Sequence, residues 1–388
     1  MLHVAQVSFF VDPQGRGPEQ LLHDWPSLVD VAEAASEAGV RVSVIQACAQ
    51  NKQLTRNGVD YHFLAPDDVV RTIACRQAFG DLVRNLGAQV FHIHGLGFPA
   101  DVHALAKLVP ETPLIVQDHA NKPPRIWQRL FWRRGLATLS GVAFCASEQA
   151  QPFIEAGLLQ PRTTVYEIPE STSRFVPGDQ QEARRVTGLH GDPCLLWVGH
   201  LNDNKDPLTV LDGVSEAIRE LPGLQLWCCF GTAPLLADVQ GRIKSDSRLR
   251  GRVHLVGPVP HWKVQLLMQS ADVFVLGSHR EGSGYSVIEA LASGVPPVVT
   301  DIPSFRSLTG HGTVGRLWPC GDSRSLCSCL LSIASELRPE SRRLVREHFD
   351  AELSFAALGR KLTAMYADLV GRKAASGAVL GAQAGAKP

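Results

Sequence analysis

Between Asp272 and Val299 the chain reads as a buried strand, a glycine-rich loop, a helix and a second buried strand. Asp272-Val273-Phe274-Val275-Leu276 is one short apolar run, and Val298-Val299 marks another. The helical run from Tyr285 to Ser293 stops at Gly294-Val295-Pro296-Pro297, where glycine and proline break it. This is a βαβ unit whose loop lies at the carboxyl end of a strand, the edge at which open α/β sheets bind ligands. The loop carries His279, Arg280, Glu281, Gly282 and Gly284. Its glycines let backbone N–H groups approach a ligand, and the helix N-terminus behind them favours an anion such as phosphate. Two carboxylates frame the loop, Glu281 before the helix and Glu289 within it, with seven residues between them. Carboxylates repel phosphate but accept hydrogen bonds from hydroxyls, so they suit a ribose and a sugar. A nucleotide-sugar would need all three kinds of contact. The plainer reading is one acid favoured by the helix dipole and one solvated acid.

The Glu-x7-Glu spacing, with glycines behind the first Glu and then E-A-L-A-S-G-V-P-P-V-V-T-D, resembles retaining glycosyltransferases of family 4, which have the two-domain GT-B fold. The likeness is specific in this stretch and extends more weakly over most of the chain. It implies that Glu281 contacts the donor sugar and that Gly282, Ser283, Gly284 and Tyr285 meet the diphosphate. It also implies that Glu289 binds the ribose hydroxyls.

A chain of 388 residues accommodates two domains of ordinary size, and 45% hydrophobic with 20% charged residues is a globular composition. A formal net charge of zero argues against a nucleic-acid binder that relies on a broad basic surface. No apolar run is long enough to span a membrane. The N-terminus, Met1 to Val7, reads as a first strand and not as a signal peptide. Nine cysteines without C-x2-C pairs read as reduced thiols of a cytoplasmic protein without a metal site. The expected fold class is α/β: two doubly wound Rossmann-like domains facing a cleft, with a C-terminal helix crossing back to the first. The expected boundaries are 1–175, 176–345, a returning helix over 346–373, and a disordered Gly/Ala-rich tail over 374–388.

In the first half, strand Val4 to Phe10 leads into Gly15-Arg16-Gly17 and a helix from Glu19 to Ala38. Gly15 and Gly17 loosely resemble the family's Gly-Gly pair near donor phosphate and acceptor; a plain turn fits equally. Asp67 to Leu86 reads as a helix. Strand Val90 to Gly95 contains His92, read as a core histidine, and His94, nearer the loop edge and similar to the family's H-x-H segment. His119 ends the strand from Leu114, where the family has a histidine facing the sugar, so it is the main catalytic candidate; the alternative is a turn histidine. Asp118 is its neighbour, but adjacent strand residues point to opposite faces. Arg125 to Leu136 interleaves Trp127, Phe131 and Trp132 with arginines. It suits an acceptor or membrane-surface contact, or a helix packed on the sheet with a solvated basic face. Ser147 fits a helix N-cap. Glu170-Ser171 departs from the family's I-P-N-G, and the linker is placed near Ser171 to Asp192.

In the second half, Gly199 to Pro207 resembles the family's G-R-x4-K, whose Arg and Lys hold the diphosphate. Lys205 matches; His200 stands at the Arg position. Ala233 departs from the family's G-x-G-P. Val259 and His261 match the loop that meets the nucleobase. With no D-x-D clamp, metal-independent transfer is expected, with Lys205, His200 and a helix N-terminus offsetting charge on the leaving diphosphate. The resemblance implies retention of configuration, with Glu281 positioning sugar hydroxyls and not acting as a nucleophile. Domain closure would exclude water. UDP is the expected nucleotide and GDP stays open. Saccharide, lipid-linked and small-molecule acceptors all remain, as does peripheral membrane contact. The competing functions are a nucleotide-sugar-binding protein without turnover and a nucleotide-sugar epimerase. A phosphorylase-like protein lacks a marked pyridoxal lysine, and an oxidoreductase lacks G-x-G-x-x-G after strand one. A histidine in place of arginine is charged only below its pKa. Donor affinity should therefore weaken as pH rises, and affinity that stays flat from about pH 5.5 to 8.5 would reject a charged His200 contact.

Overall fold

The structure, a computed structural model, describes residues 1–65 and 77–384. The chain divides into two units, one of Met1–Ser171 with the segment from Phe355 onward, the other of Thr172–Ser354.

The strands of the first unit are β1 (His3–Ser8), β2 (Arg41–Ala47), β3 (Lys52–Arg56), β4 (Val59–Leu64), β5 (Val90–His94), β6 (Leu114–Gln117), β7 (Gly141–Phe144) and β8 (Thr164–Glu167). They form a sheet in the order β3-β4-β2-β1-β5-β6-β7-β8. Only β3 runs antiparallel to its neighbour. The order reverses between β1 and β5, a switch point that leaves a crevice outside the carboxyl ends of the strands. Side chains alternate across the sheet, so Val4 and Ala5 enter different cores. Val4 packs with α1 (Pro18–Asp24), α2 (Pro26–Glu37) and the last helix; Ala5 packs with α3 (Gln77–Leu86), α4 (Pro99–Leu108), α5 (Arg129–Leu136) and α6 (Gln151–Glu155).

The second unit is wholly parallel: β9 (Cys194–Val198), β10 (Gln225–Cys229), β11 (Val253–Gly257), β12 (Val273–Leu276), β13 (Pro297–Thr300) and β14 (Arg316–Trp318), in the order β11-β10-β9-β12-β13-β14. Its switch point lies between β9 and β12. Its helices are α7 (Gln180–Thr187), α8 (Pro207–Ala217), α9 (Leu236–Ser245), α10 (His261–Ser270), α11 (Tyr285–Ala292), α12 (Pro303–Leu308), α13 (Ser323–Ser335) and α14 (Pro339–Glu352). The closing helix, α15 (Phe355–Ala384), returns to the first unit.

Several elements differ from the sequence reading for local reasons. The helix expected over Glu19 to Ala38 is two helices, because Trp25 leaves the helical region (φ −115°, ψ 77°) ahead of Pro26. Strand β3 is polar and largely exposed, so no apolar alternation announces it. Within the expected linker, α7 forms between Asp179, whose carboxylate accepts from the N–H groups of Gln181 and Glu182, and Gly188 at φ 78°. Ser147 is not the N-cap: Ala146 holds that position, its N–H bonded to Gln149 Oε1. The backbone of α15 stays helical to Ala384, past the expected onset of disorder at Ala374; alanine is the strongest helix former. Of the helix expected over Asp67 to Leu86, the part before Gln77 lies outside the described residues. No helix among the described residues is long and apolar enough to cross a membrane.

The stripe Leu358, Leu362, Met365, Tyr366 and Leu369 seals α15 against the first sheet. Tyr166 of β8 donates to Asp368 at 2.6 Å. Gly359 lets α15 approach α2, since a Cβ there would stand 2.4 Å from the Ala34 carbonyl oxygen. Gly359→Ala should therefore destabilise the first unit by about 1–3 kcal/mol through overpacking, despite the better helix propensity of alanine, as read from urea unfolding midpoints.

Candidate functional site

The switch point of the first unit opens into a cavity of about 520 Å³ at the ends of β1, β5 and β6. Phe10, Trp25 and Phe98 supply apolar walls, and Gln46, His94 and His119 supply polar groups. The structure thus brings two of the predicted residues, His94 and His119, into direct contact. His94 Nδ1 lies 3.1 Å from His119 Nε2, and His119 Nδ1 lies 3.0 Å from Glu170 Oε2. Glu170 is the residue that stands where the family pattern has asparagine, and it orients the imidazole that Asp118 does not reach. The Asp118 carboxylate instead accepts from the N–H groups of Ala120 and Asn121, shaping the loop behind His119. Burial raises Asp118 to about 6.

Behind this pair the chain of hydrogen bonds continues inward. His94 Nε2 meets Gln6 Oε1 at 3.3 Å, Gln6 Nε2 donates to Tyr366 Oη at 3.3 Å, and Tyr366 Oη meets His92 Nδ1 at 2.8 Å. Desolvation holds His94 well below its usual range and lowers His92 to about 3, so both are neutral. With the Gln6 amide in this orientation, His94 donates from Nε2 to Gln6 and accepts at Nδ1 from His119 Nε2. A half-turn of the amide reverses the bonds from His92 through Tyr366 and Gln6 to His94, so that His94 donates to His119 Nε2 instead. His92 is the core histidine the sequence suggested; its partner, from α15, could not be read from it.

Gln46 was not singled out from the sequence. Its Nε2 donates to the Phe10 and Ala47 carbonyls at 2.8 and 2.6 Å, while its buried Oε1 has no partner. An unpaired buried acceptor on a cavity wall suits a ligand hydroxyl. Gly15 and Gly17 do not line the cavity. They form a turn in which Asp12 accepts from the N–H groups of Gln14 and Arg16 and from the Arg16 guanidinium. That side-chain bond to Arg16 keeps Asp12 well below the ordinary carboxylate range.

In the second unit the predicted residues collect at the carboxyl edge of the sheet. The loop after β12 reaches α11 through Gly284 (φ 82°, ψ 64°), where a Cβ would lie 2.6 Å from the Phe305 ring. Only glycine meets both demands. Gly282 and Ser283 are buried beside it, and Tyr285 is partly exposed. Glu281 is hydrogen-bonded to Lys205 Nζ, both largely buried. Glu289, inside α11, lies 2.6 Å from His261 Nε2 at the start of α10, and the His261 ring packs 5.0 Å from that of Phe175. Val259 is half-buried in the loop ahead of His261. Asn204 Nδ2 donates to the Arg280 carbonyl, which joins the Lys205 loop to the glycine loop. His200 Nδ1 accepts from the Thr232 N–H at 3.1 Å. In the neutral ring Nε2 therefore carries the proton, a donor that needs no charge.

Between about pH 6.5 and 3 the unfolded chain binds a proton at His92 that the folded chain does not. This contribution to stability is complete above 6.5 and is lost as pH falls through the folded value. Asp118 acts in the opposite sense: its contribution is full below 3.8 and is lost as pH rises through about 6. Urea unfolding of His92→Gln should accordingly show a smaller loss of stability on acidification than the wild type across that window.

Comparison with known proteins follows these positions. Residues 192–336 match the sequence model of the family described as Glycosyl transferases group 1. The D-inositol 3-phosphate glycosyltransferase of Nocardia farcinica is 26% identical over 178 residues, covering 44% of this chain and 40% of that protein. The GDP-mannose:cellobiosyl-diphosphopolyprenol alpha-mannosyltransferase of Xanthomonas campestris is 25% identical over 239 residues, 58% of this chain and 60% of that one. The chain thus matches 40% and 60% of the length of these relatives. A glycosyltransferase from Rickettsia africae superposes with a TM-score of 0.72 at 11% identity, over 95% of this chain and 98% of that one. Anabaena HepE, solved in complex with UDP, gives 0.68 at 15% identity over 95% and 100%. The architecture is the GT-B fold shared with these structures.

Proposed function

We propose that this chain, whose fold is GT-B and whose residues 192–336 match the model of glycosyl transferases group 1, moves a sugar from a nucleotide-diphosphate donor to an acceptor, with retention at the anomeric carbon and without a metal ion. The observation that carries the reading is the loop from Ser278 to Gly284 at the edge of the second sheet, with Glu281 held by Lys205 and Glu289 on the first turns of the helix behind it. In this reading Glu289 accepts hydrogen bonds from the ribose hydroxyls and Glu281 from hydroxyls of the donor sugar. Lys205, the loop N–H groups of Gly282 to Tyr285 and the N-terminus of α11 offset the charge that grows on the departing diphosphate. Val259 and His261 meet the base. His200 donates through Nε2 to a phosphate oxygen as a neutral group as well as a cation, which reduces the pH dependence that a purely charged contact would give.

On the acceptor side, the cavity of the first unit receives a hydroxylated group. Gln46 Oε1 accepts one hydroxyl, and the His94–His119–Glu170 chain holds or moves the proton at the reacting edge. The aromatic walls suit the apolar face of a sugar ring. UDP is the proposed nucleotide; HepE was solved with UDP, whereas the Xanthomonas relative is named for GDP-mannose, so the base is the first point to test.

The second reading, a protein that binds a nucleotide-sugar without turnover, is favoured by His200 at the arginine position and by Ala233 at a glycine position. Turnover separates the two, because a binding protein holds the donor without consuming it when acceptor is supplied. The test of the donor site is thermal unfolding with UDP, GDP or ADP, each with and without EDTA. A nucleotide at about a hundred times its dissociation constant should stabilise the wild type by roughly 2.7 kcal/mol. Glu289→Ala and Lys205→Ala should each weaken that binding about tenfold or more, since a charge-assisted hydrogen bond is lost. No shift with any nucleotide would overturn the donor-site assignment.

A further inference from the structure

One segment of the first unit has no part in the proposed chemistry. After the loop that follows His119, the chain makes a 3-10 turn over Ile126–Gln128 and then α5. The inner side of α5 is committed to the fold. Gly135 and Leu136 are buried, and a Cβ on Gly135 would stand 2.3 Å from the Pro99 carbonyl oxygen. The outer side is unlike a solvated helix face. Ile126, Trp127, Leu130 and Phe131 are 77%, 71%, 71% and 56% exposed, a concentration of large apolar side chains in six residues. Among the described residues no other stretch of that length exposes so many.

The charge around them is of one sign. Between Asp118 and Glu148 the sequence contains Lys122, Arg125, Arg129, Arg133 and Arg134 and no acidic residue, in a chain whose overall net charge is zero. Arg125 lies over the Trp127 ring at 5.1 Å, keeping a guanidinium at the level of the exposed indole. Neither Arg133 nor Arg134 takes part in an ion pair among the described residues, and both are exposed. Exposed apolar side chains interleaved with guanidinium groups match a surface that is apolar at depth and anionic at its boundary. A bilayer with anionic headgroups has that profile, and tryptophan is favoured at such a boundary. A second protein chain would need a complementary acidic groove.

We propose that residues 125–134 form a docking face for an anionic phospholipid surface, with Ile126, Trp127, Leu130 and Phe131 entering the headgroup layer and Arg125, Arg133 and Arg134 contacting phosphate. The face is built on the loops that also wall the cavity: Asn121 lines it just before the turn begins, and Phe98 lines it beside the Pro99 that α5 abuts. Docking therefore holds those cavity walls close to the membrane. Vesicle binding by this face requires no sugar transfer.

The full chain would be sedimented with phosphatidylcholine vesicles and with vesicles containing about 30% phosphatidylglycerol. Binding to the anionic vesicles should exceed binding to the neutral ones by about tenfold or more, and should weaken but persist in high salt. The double variant Trp127→Ser/Phe131→Ser and the double variant Arg133→Gln/Arg134→Gln should each lose about tenfold. Leu344→Ser, an exposed apolar residue of the second unit, should bind as the wild type does. Circular dichroism melts establish that the variants are folded, which their exposure favours. Absence of vesicle binding, or binding unchanged in both double variants, overturns the proposal. So does a change of oligomeric state in the double variants at unchanged vesicle binding, which would assign the face to a second copy of the chain.

Discussion

The hydrogen bond from Tyr366 to His92 joins the last helix of the chain to the middle of the first sheet. Both groups are fully buried, so neither can exchange its partner for water, and loss of one strands the other. The same Tyr366 oxygen accepts from Gln6, which reaches His94, His119 and Glu170 in turn. Each of these bonds is made away from water, where a lost partner is costly, and this holds the side chains that reach the cavity wall in place. Packing by the apolar stripe of α15 and the polar chain beneath it are thus one constraint: the residue that seals the core, Tyr366, also sets the orientation of the histidines.

In the second unit the groups with proposed roles are partners of one another. Lys205 holds Glu281, and His261 holds Glu289, with both carboxylates largely withdrawn from solvent. The Lys205–Glu281 ion pair keeps the glycine loop and the Lys205 loop in register. A polyhydroxyl, polyanionic ligand offers the same two kinds of contact, hydroxyls to the carboxylates and phosphate to the cations. Cohesion of the site and recognition of a donor therefore draw on the same side chains.

Much of this architecture was legible in the sequence because parallel strands buried on both faces are near-continuous apolar runs. Cys194–Val198, Val273–Leu276 and Leu114–Gln117 are such strands, each followed by glycine or polar residues at the ligand edge. The edge strand β3 was not legible, since half its bonds and most of its surface are free of the core. Gln46, Glu170 and Trp25 were missed for another reason. Each is an ordinary residue in its own segment and acquires a role only from neighbours far along the chain: Glu170 meets His119 across fifty-one positions. The one available signal was the departure at Glu170 from the family's asparagine, which marked the place without naming the partner.

What the sequence by itself determined is local. The apolar runs, the glycines of the Ser278–Gly284 loop, the Glu281–Glu289 spacing and the basic aromatic stretch after His119 follow from short-range chemistry and need no fold to be read. What only the tertiary structure decided is which of these groups meet and which stay exposed. It placed Glu170 and not Asp118 on His119, left the Gln46 carbonyl without a partner, and turned Trp127 and Phe131 outward. The physical reason is that hydrogen-bond pairing and burial depend on distances between side chains, and those distances are set by strand order and helix packing across hundreds of residues, to which spacing along the chain is blind.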